Sequence, residues 1–392
     1  MKKKYDCTLV FAALFLSLLS CKQPEGAVRE TEVYNPDIFG WRTASWGPFT
    51  VTDSVKAFAY GGGVYVAVGI HGVVAYSYDG DIWERAKKAP DPASGDPVTE
   101  PFKLANGGNA DFNAVAFGDG VFIAVADGGH FAYSRDGIYW TGKHGVTGFG
   151  SENINGIAYG RTPAGLGCFV AVGNGTNGGG NIFAAFSSGP ESWSGGKPAG
   201  FSAVKDVTFG NGKFYAAGDD GWMGWAVPTI SSVTLTPAND WDWHPRQWTF
   251  RAQTGTFTPY VKKIAFGEYG RGIPGLGVVF NEWGGKRIAV CAANQFEPGN
   301  SNAWDSDIDA GFFGSNTISS IVWSSWNGGV WMAAGTSAMI GYWPGSDPAD
   351  TAERYWRALS FAEFRWWEIS VLAALNGRYF AGSVGGKIGY SK

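Results

Sequence analysis

Along most of the chain, short apolar-rich runs alternate with glycine or Asp-Gly turns, and the pattern repeats. Residues 55–83 read VKAFAYGGGVYVAVGIHGVVAYSYDGDIW, and residues 112–140 read FNAVAFGDGVFIAVADGGHFAYSRDGIYW. Residues 154–193 begin INGIAYG, pass through CFVAVGNG and NIFAAF, and end in ESW; residues 204–218 read VKDVTFGNGKFYAAG. Degenerate copies start at Val261 (VKKIAFGEYG), Ile318 (ISSIVWSSWNGG) and near Trp367 (WEISVLAALNGRYFAG). Each copy has an apolar-rich strand ending in an aromatic and a glycine turn, then a strand of the FVAVG type. A strand of the AYS type and a strand opened by Trp complete it. β-Rich runs separated by such turns predict antiparallel hairpins, and helical 3.6-residue periodicity is missing from them. Four-stranded meanders repeated about an axis make a β-propeller.

The tryptophans count the blades. Trp83, Trp140, Trp193, Trp248, Trp304 and Trp356 follow one another at spacings of 57, 53, 55, 56 and 52 residues. The seventh copy ends with the chain, just short of its fourth strand. That strand is predicted at the other end, where Trp41-Arg42-Thr43-Ala44 matches Trp83-Glu84-Arg85-Ala86 and Trp356-Arg357-Ala358. The prediction is one all-β domain over residues 41–392, a seven-bladed propeller whose ring the N-terminal strand closes without leaving open edges.

The segment ahead of the propeller reads differently. Lys2, Lys3 and Lys4 precede an apolar run from Thr8 to Leu19, the layout of a secretory signal and too short to span a bilayer comfortably. Leu18-Leu19-Ser20-Cys21 resembles the lipobox of bacterial lipoproteins, which implies cleavage after residue 20 and acylation of Cys21. Residues 21–40 then form a polar, flexible tether. The expectation is an exported protein held at the bacterial cell envelope, touching the membrane only through its lipid. Cys168 and Cys291 lie in apolar runs and read as buried thiols rather than a disulfide pair.

Composition narrows the function. The 392 residues are 45% hydrophobic but only 16% charged, with 60 Gly and 19 Trp, which excludes a disordered chain or a coiled coil. Net charge is −4 and the basic residues are scattered, so no nucleic-acid partner is expected.

Ser77-Tyr78-Asp79-Gly80-Asp81-Ile82-Trp83 and Ser134-Arg135-Asp136-Gly137-Ile138-Tyr139-Trp140 resemble the Asp-box of BNR and sialidase-like propellers, with Asp and Gly adjacent and the loop one residue shorter. Over about 350 residues the chain resembles the broad WD40/YVTN/BNR-like superfamily, which includes lipid-anchored assembly factors similar to the photosystem II stability factor. In such boxes the Asp holds its own turn and the Trp packs between sheets, so Asp79, Asp136 and the repeat tryptophans read as structural.

Catalytic chemistry is not legible. A sialidase needs converging arginines, a Tyr–Glu pair and an acid. The Arg-Ile-Pro motif usual ahead of the first box is absent, and the arginines do not recur at equivalent blade positions. No GxSxG or HExxH occurs. Residues 305–316, DSDIDAGFFGSN, fail the calcium-loop pattern because the glycine is one place late and position twelve is Asn316. No metal and no cofactor are expected.

Binding surfaces remain. The second position of the first strand is read as polar in every copy: Lys56, Asn113, Asn155, Lys205, Lys262, Ser319 and Glu368. These residues are either wet strand ends beside a central channel or a polar, partly cationic channel mouth. His71, Asp127, Asn174, Asp219, Asp220 and Glu282 join them from the loops between second and third strands. The opposite face carries insertions at Pro228–Gln247, Glu268–Gly277, Asn294–Ala303 and Pro344–Tyr355. Within the first, Trp241 and Trp243 form either an aromatic platform or a satellite core. The sequence reading is a monomeric, non-catalytic binding or scaffolding lipoprotein with a protein or glycan partner. The alternative is a sialidase-like glycosidase or glycan-binding protein.

Overall fold

The structure is a computed structural model, and it describes residues 40–89, 108–143, 149–175, 179–186, 188–196, 203–228, 244–247, 250–252, 255–257, 260–269, 272–283, 286–293, 296, 313–314, 316–325, 329–343, 356–359 and 367–391. Among the described residues, seven blade sheets of antiparallel meanders follow one another along the chain, with a separate two-stranded sheet of Phe250–Ala252 and Gly255–Phe257 between the fourth and fifth in sequence. The protein is a seven-bladed β-propeller of four-stranded blades. Blade one is typical: Val55–Gly61, Val64–Gly69, Val74–Ser77 and Glu84–Arg85 pair in sequence order. The first strands of consecutive blades touch in cyclic order, and Glu368–Leu375 of blade seven returns to Val55–Gly61. They therefore form the inner ring, and the fourth strands form the rim.

The rim of blade seven is occupied by the N-terminal strand Arg42–Thr43, with Arg42 opposite Tyr390 and Thr43 opposite Gly389. The same segment reaches blade one, where Ser45 binds Asp81 through its amide and hydroxyl and Trp46 bridges Ile82. Blade one repeats this on its neighbour: Lys87–Lys88 runs parallel to Tyr139–Lys143 of blade two. Blade five has three described strands, Val261–Glu268, Pro274–Trp283 and Lys286–Ala292; its expected Trp304 lies outside the described residues.

The second strands of blades one, two and six are buried along their whole length, in Val64–Gly69, Val121–Ala126 and Val330–Gly335, and those of blades three, four and seven are buried except at their ends. They lie in mid-blade, with sheets packed on both faces, so they read as continuous apolar runs rather than alternating ones. Cys168 and Cys291 are buried free thiols within the blades, and burial pushes Cys168 up to about 12.

The recurrent aromatic-glycine pair at the end of the first strand packs blade against blade. A Cβ on Gly118 would sit 2.1 Å from the Tyr159 ring of the next blade. Gly61 receives Phe117, Gly160 receives Phe209, Gly210 receives Phe266 and Gly267 receives Trp323 in the same way. Each glycine is the floor on which the next blade's ring rests. Gly118→Ala is therefore expected to cost about 1–3 kcal/mol through overpacking, read as a lower melting temperature.

The Asp-Gly turns hold themselves. Asp79 Oδ1 accepts the amides of Asp81 (2.8 Å) and Ile82 (3.0 Å), and Ser77 Oγ accepts that of Gly80 (2.8 Å). Asp136 does the same for Ile138 and Tyr139, with Ser134 on Gly137. The turn glycine carbonyls then receive the indole N–H of Trp83 and of Trp140, both at 2.9 Å. Hydrogen bonds to the ionised form hold the Asp79 carboxyl below its usual range despite its partial burial. Trp193 and Trp356 are buried too, but their blades lack the Asp-Gly turn and their indole N–H groups have no partner among the described residues. Trp41 is buried and stacks on Tyr379 at 6.5 Å.

Register places the fourth strand of blade four. In blades one, two, three, six and seven, the repeat tryptophan stands two residues before the fourth-strand residue in the central pairing row: Arg85, Gly142, Gly195, Ala358 and Thr43. In blade four the fourth strand is His244–Gln247, and Gly224 pairs with Pro245. The same count from Pro245 falls on Trp243, not on Trp248, which follows the strand. Two of the expected insertions are also shorter: His244–Gln247 is blade four's own fourth strand, and Pro274–Gly277 belongs to blade five's second strand. Trp241, Trp243 and Trp248 lie outside the described residues.

Candidate functional site: the channel mouth

Every first strand carries a β-bulge after its first buried residue. The register shifts between Val55 and Ala57, Phe112 and Ala114, Ile154 and Gly156, and Val204 and Asp206. It shifts likewise between Val261 and Lys263, Ile318 and Ser320, and Ile369 and Val371. A bulge leaves one residue out of the ladder and turns its side chain away from the sheet's ordinary alternation. The bulged residues are Lys56, Asn113, Asn155, Lys205, Lys262, Ser319 and Ser370. This explains why a polar residue interrupts an otherwise apolar strand. It also corrects the seventh member of the ring: the position belongs to Ser370, while Glu368 is exposed at the strand's first residue.

Lys56, Asn113, Asn155, Lys205, Lys262 and Ser370 line one cavity of about 410 Å³, together with Asp219, Tyr260, Val261, Lys263. Ser319 is not among its lining residues. In an antiparallel meander the start of the first strand and the turn between second and third strands share a face, so Asp219 arrives there beside the bulges.

The ring members divide by task. Asn113 Nδ2 donates to the Ile154 carbonyl of the next blade (3.0 Å) and to Asp127 Oδ1 (2.7 Å). Asn155 Nδ2 donates to the Val204 carbonyl (2.8 Å) and to Asn174 Oδ1 (3.0 Å). Ser370 Oγ donates to the Val55 carbonyl (2.5 Å), across the junction of the last and first blades. These three bulge residues fasten neighbouring blades. A second fastening sits one residue on: Asp206 Oδ2 accepts the Ile264 amide (3.1 Å), and Ser320 Oγ accepts the Leu372 amide (3.0 Å). Sequence reading missed both sets, because the partners lie 41 to 315 residues apart.

The loop residues are fastened as well. The His71 amide donates to Asp111 Oδ1 (2.7 Å), and its Nδ1 lies 2.9 Å from the buried Asp53. The Gly128 amide donates to Asn153 Oδ1 (3.1 Å). Asp220 accepts a hydrogen bond from the Tyr260 hydroxyl, which raises the phenol's pKa. Glu282 falls inside the long second strand of blade five rather than in its loop.

The lysines remain, and they come from blades one, four and five. Lys205 Nζ pairs with Asp219 at 3.2 Å, and Lys263 Nζ faces Asp206 at 3.9 Å. Burial pushes the Asp206 carboxyl up, against the pull of Lys263. Burial also raises Asp127, while its bond from Asn113 and the Lys56 charge oppose that rise. Lys262 is exposed at the second residue of its strand, and partial desolvation within the mouth lowers its amine below the usual value. The mouth offers four ammonium groups around one cavity, Lys56 from blade one and the other three from the adjacent blades four and five across the ring, with amide and hydroxyl groups occupied elsewhere around it. Such a ring of cations attracts anions.

Among the described residues, no group of three His, Cys, Asp or Glu side chains is placed to hold a metal ion. Among them, no helix is long and apolar enough to cross a membrane.

The fold defines the class: a seven-bladed β-propeller with a polar channel mouth. No protein-family model matches the chain, and no curated protein sequence matches it. Solved structures do. The chain is similar to YCF48 bound to D1 peptide, with a TM-score of 0.57 at 14% identity, over 91% of this chain and 97% of that one. It is similar to YCF48 from Cyanidioschyzon merolae, with a TM-score of 0.55 at 12% identity, over 90% and 98%. The WD40 propeller domain of Doa1 gives a TM-score of 0.52 at 12% identity, over 90% and 95%. At these identities the likeness is one of fold.

Proposed function

We propose that this chain is a non-catalytic binding or scaffolding protein of the bacterial cell envelope, anchored by a lipid on Cys21, that holds a protein partner at its channel mouth. The observation that carries the reading is the cavity of about 410 Å³ ringed by bulge side chains, with lysines from three blades lining it. A solved propeller of similar fold is described as bound to a peptide, which supports a peptide or protein partner. The charged and apolar segments ahead of Cys21 support export. Fold resemblance by itself does not carry function, so the residues of the mouth must be tested directly.

Two substitutions separate the anchor from the mouth. Cys21→Ser is expected to abolish fatty-acid labelling and release the protein into the soluble fraction. Retained labelling would refute the anchor. Lys56→Glu with Lys205→Glu is expected to weaken capture of an envelope partner about tenfold or more, since reversed charge at an interface is costly. Unchanged capture by a variant that melts normally would move the binding surface elsewhere.

A further inference from the structure

The four lysines of the mouth are not equivalent. Lys56, Lys205 and Lys263 each have an aspartate in their field: Asp127, Asp219 and Asp206 respectively. Lys262 has no hydrogen-bond or ion-pair partner among the described residues, although it lines the same cavity. A bulge fixes its backbone, so its ammonium is directed at the cavity rather than back along the sheet. A cation on a cavity wall with no counter-charge of its own is free to pair with a ligand that brings one negative charge.

We infer that the mouth binds a carboxylate-bearing peptide segment, with Lys262 as the cation that receives the carboxylate. This rests on the reading of the mouth as a partner-binding surface. One uncompensated ammonium matches a monoanion better than a phosphate dianion, because the neighbouring lysines already face aspartates. Burial holds the Lys262 amine down in the free protein, and an incoming carboxylate would raise it again. The carboxylate can come from an acidic side chain or from a chain terminus, and the chemistry at Lys262 is the same.

The test titrates the intact protein with three peptides by calorimetry: hexaglutamate amide, hexaglutamine with a free C-terminus, and hexaglutamine amide. The inference expects at least one carboxylate-bearing peptide to bind about tenfold more tightly than hexaglutamine amide. Preference for hexaglutamate amide identifies a side-chain carboxylate, and preference for the free-acid hexaglutamine identifies a terminus. Lys262→Gln is expected to erase the preference, and Lys262→Arg to retain it, with melting temperatures confirming that both variants fold. Equal binding of all three peptides would overturn the inference while leaving the mouth a peptide site. Binding of none would overturn both. A preference that survives in Lys262→Gln would also overturn the assignment of Lys262.

Discussion

Removing residues 22–46 is expected to leave a protein that aggregates or melts far below the intact chain. The deletion takes away Trp41, which is buried against Tyr379, and the strand Arg42–Thr43 that covers the edge Ile388–Tyr390. It also removes the Ala44 amide bond to Ile388 (2.9 Å) and the contacts of Ser45 and Trp46 with blade one. Loss of a buried Trp alone typically costs about 3–5 kcal/mol. Domains are commonly stable by only about 5–15 kcal/mol, so the added loss of a rim strand would exhaust much of that margin. The uncovered strand would present unpaired amides and carbonyls to other chains, which is the route to aggregation. A truncated protein that melts like the intact one would contradict ring closure by the N-terminal strand. Trp41→Ala should reproduce a large part of the loss without shortening the chain.

Trp243→Ala is expected to destabilise the protein by about 3–5 kcal/mol, in the range of Trp140→Ala, whereas Trp248→Ala should cost less than about 1 kcal/mol. The pairing of Gly224 with Pro245 puts Trp243 at the count from which the other blades bury their indoles. Chemical denaturation of the three single variants, at unchanged slope, is the measurement. If Trp248→Ala is the damaging one, the blade-four register is wrong. The same experiment bears on the aromatic platform. A Trp243 needed for folding is not free to pair with Trp241 as a binding surface, and the mouth then keeps the stronger case.

Much of this architecture is legible in the sequence because its markers are local. The Ala-Tyr-Gly and Ala-Phe-Gly triplets announce the first strands, since each glycine must admit a ring from the next blade. Ser77-Tyr78-Asp79-Gly80 and Ser134-Arg135-Asp136-Gly137 announce the turns before Trp83 and Trp140, because every hydrogen bond of those turns lies within three residues. Legibility ends where the markers fade. Blade seven has Ala374 and Leu375 where blades one to five have an aromatic and a glycine, so the sequence pattern puts the polar position two residues early, at Glu368 instead of Ser370. Blade four offers Trp241, Trp243 and Trp248 within eight residues, and composition cannot choose among them; strand pairing can. The fastenings through Asn113, Asn155, Asp206, Ser320 and Ser370 join residues distant in sequence, so no local pattern exposes them. Polarity inside an apolar strand was the available signal. It pointed to the right ring without revealing that some members bind neighbouring blades and others face the cavity.

The central claim, that a partner sits on the mouth face, is tested most directly by site-specific photo-crosslinking in native envelopes. A photoreactive residue replaces Tyr260, an exposed residue lining the mouth, in one protein and Asn211, in the first-to-second-strand turn of the opposite face, in another. The account predicts a discrete crosslinked adduct from position 260 that is competed away by unlabelled wild-type protein, and none from position 211. An adduct from position 211 with none from position 260 would contradict it.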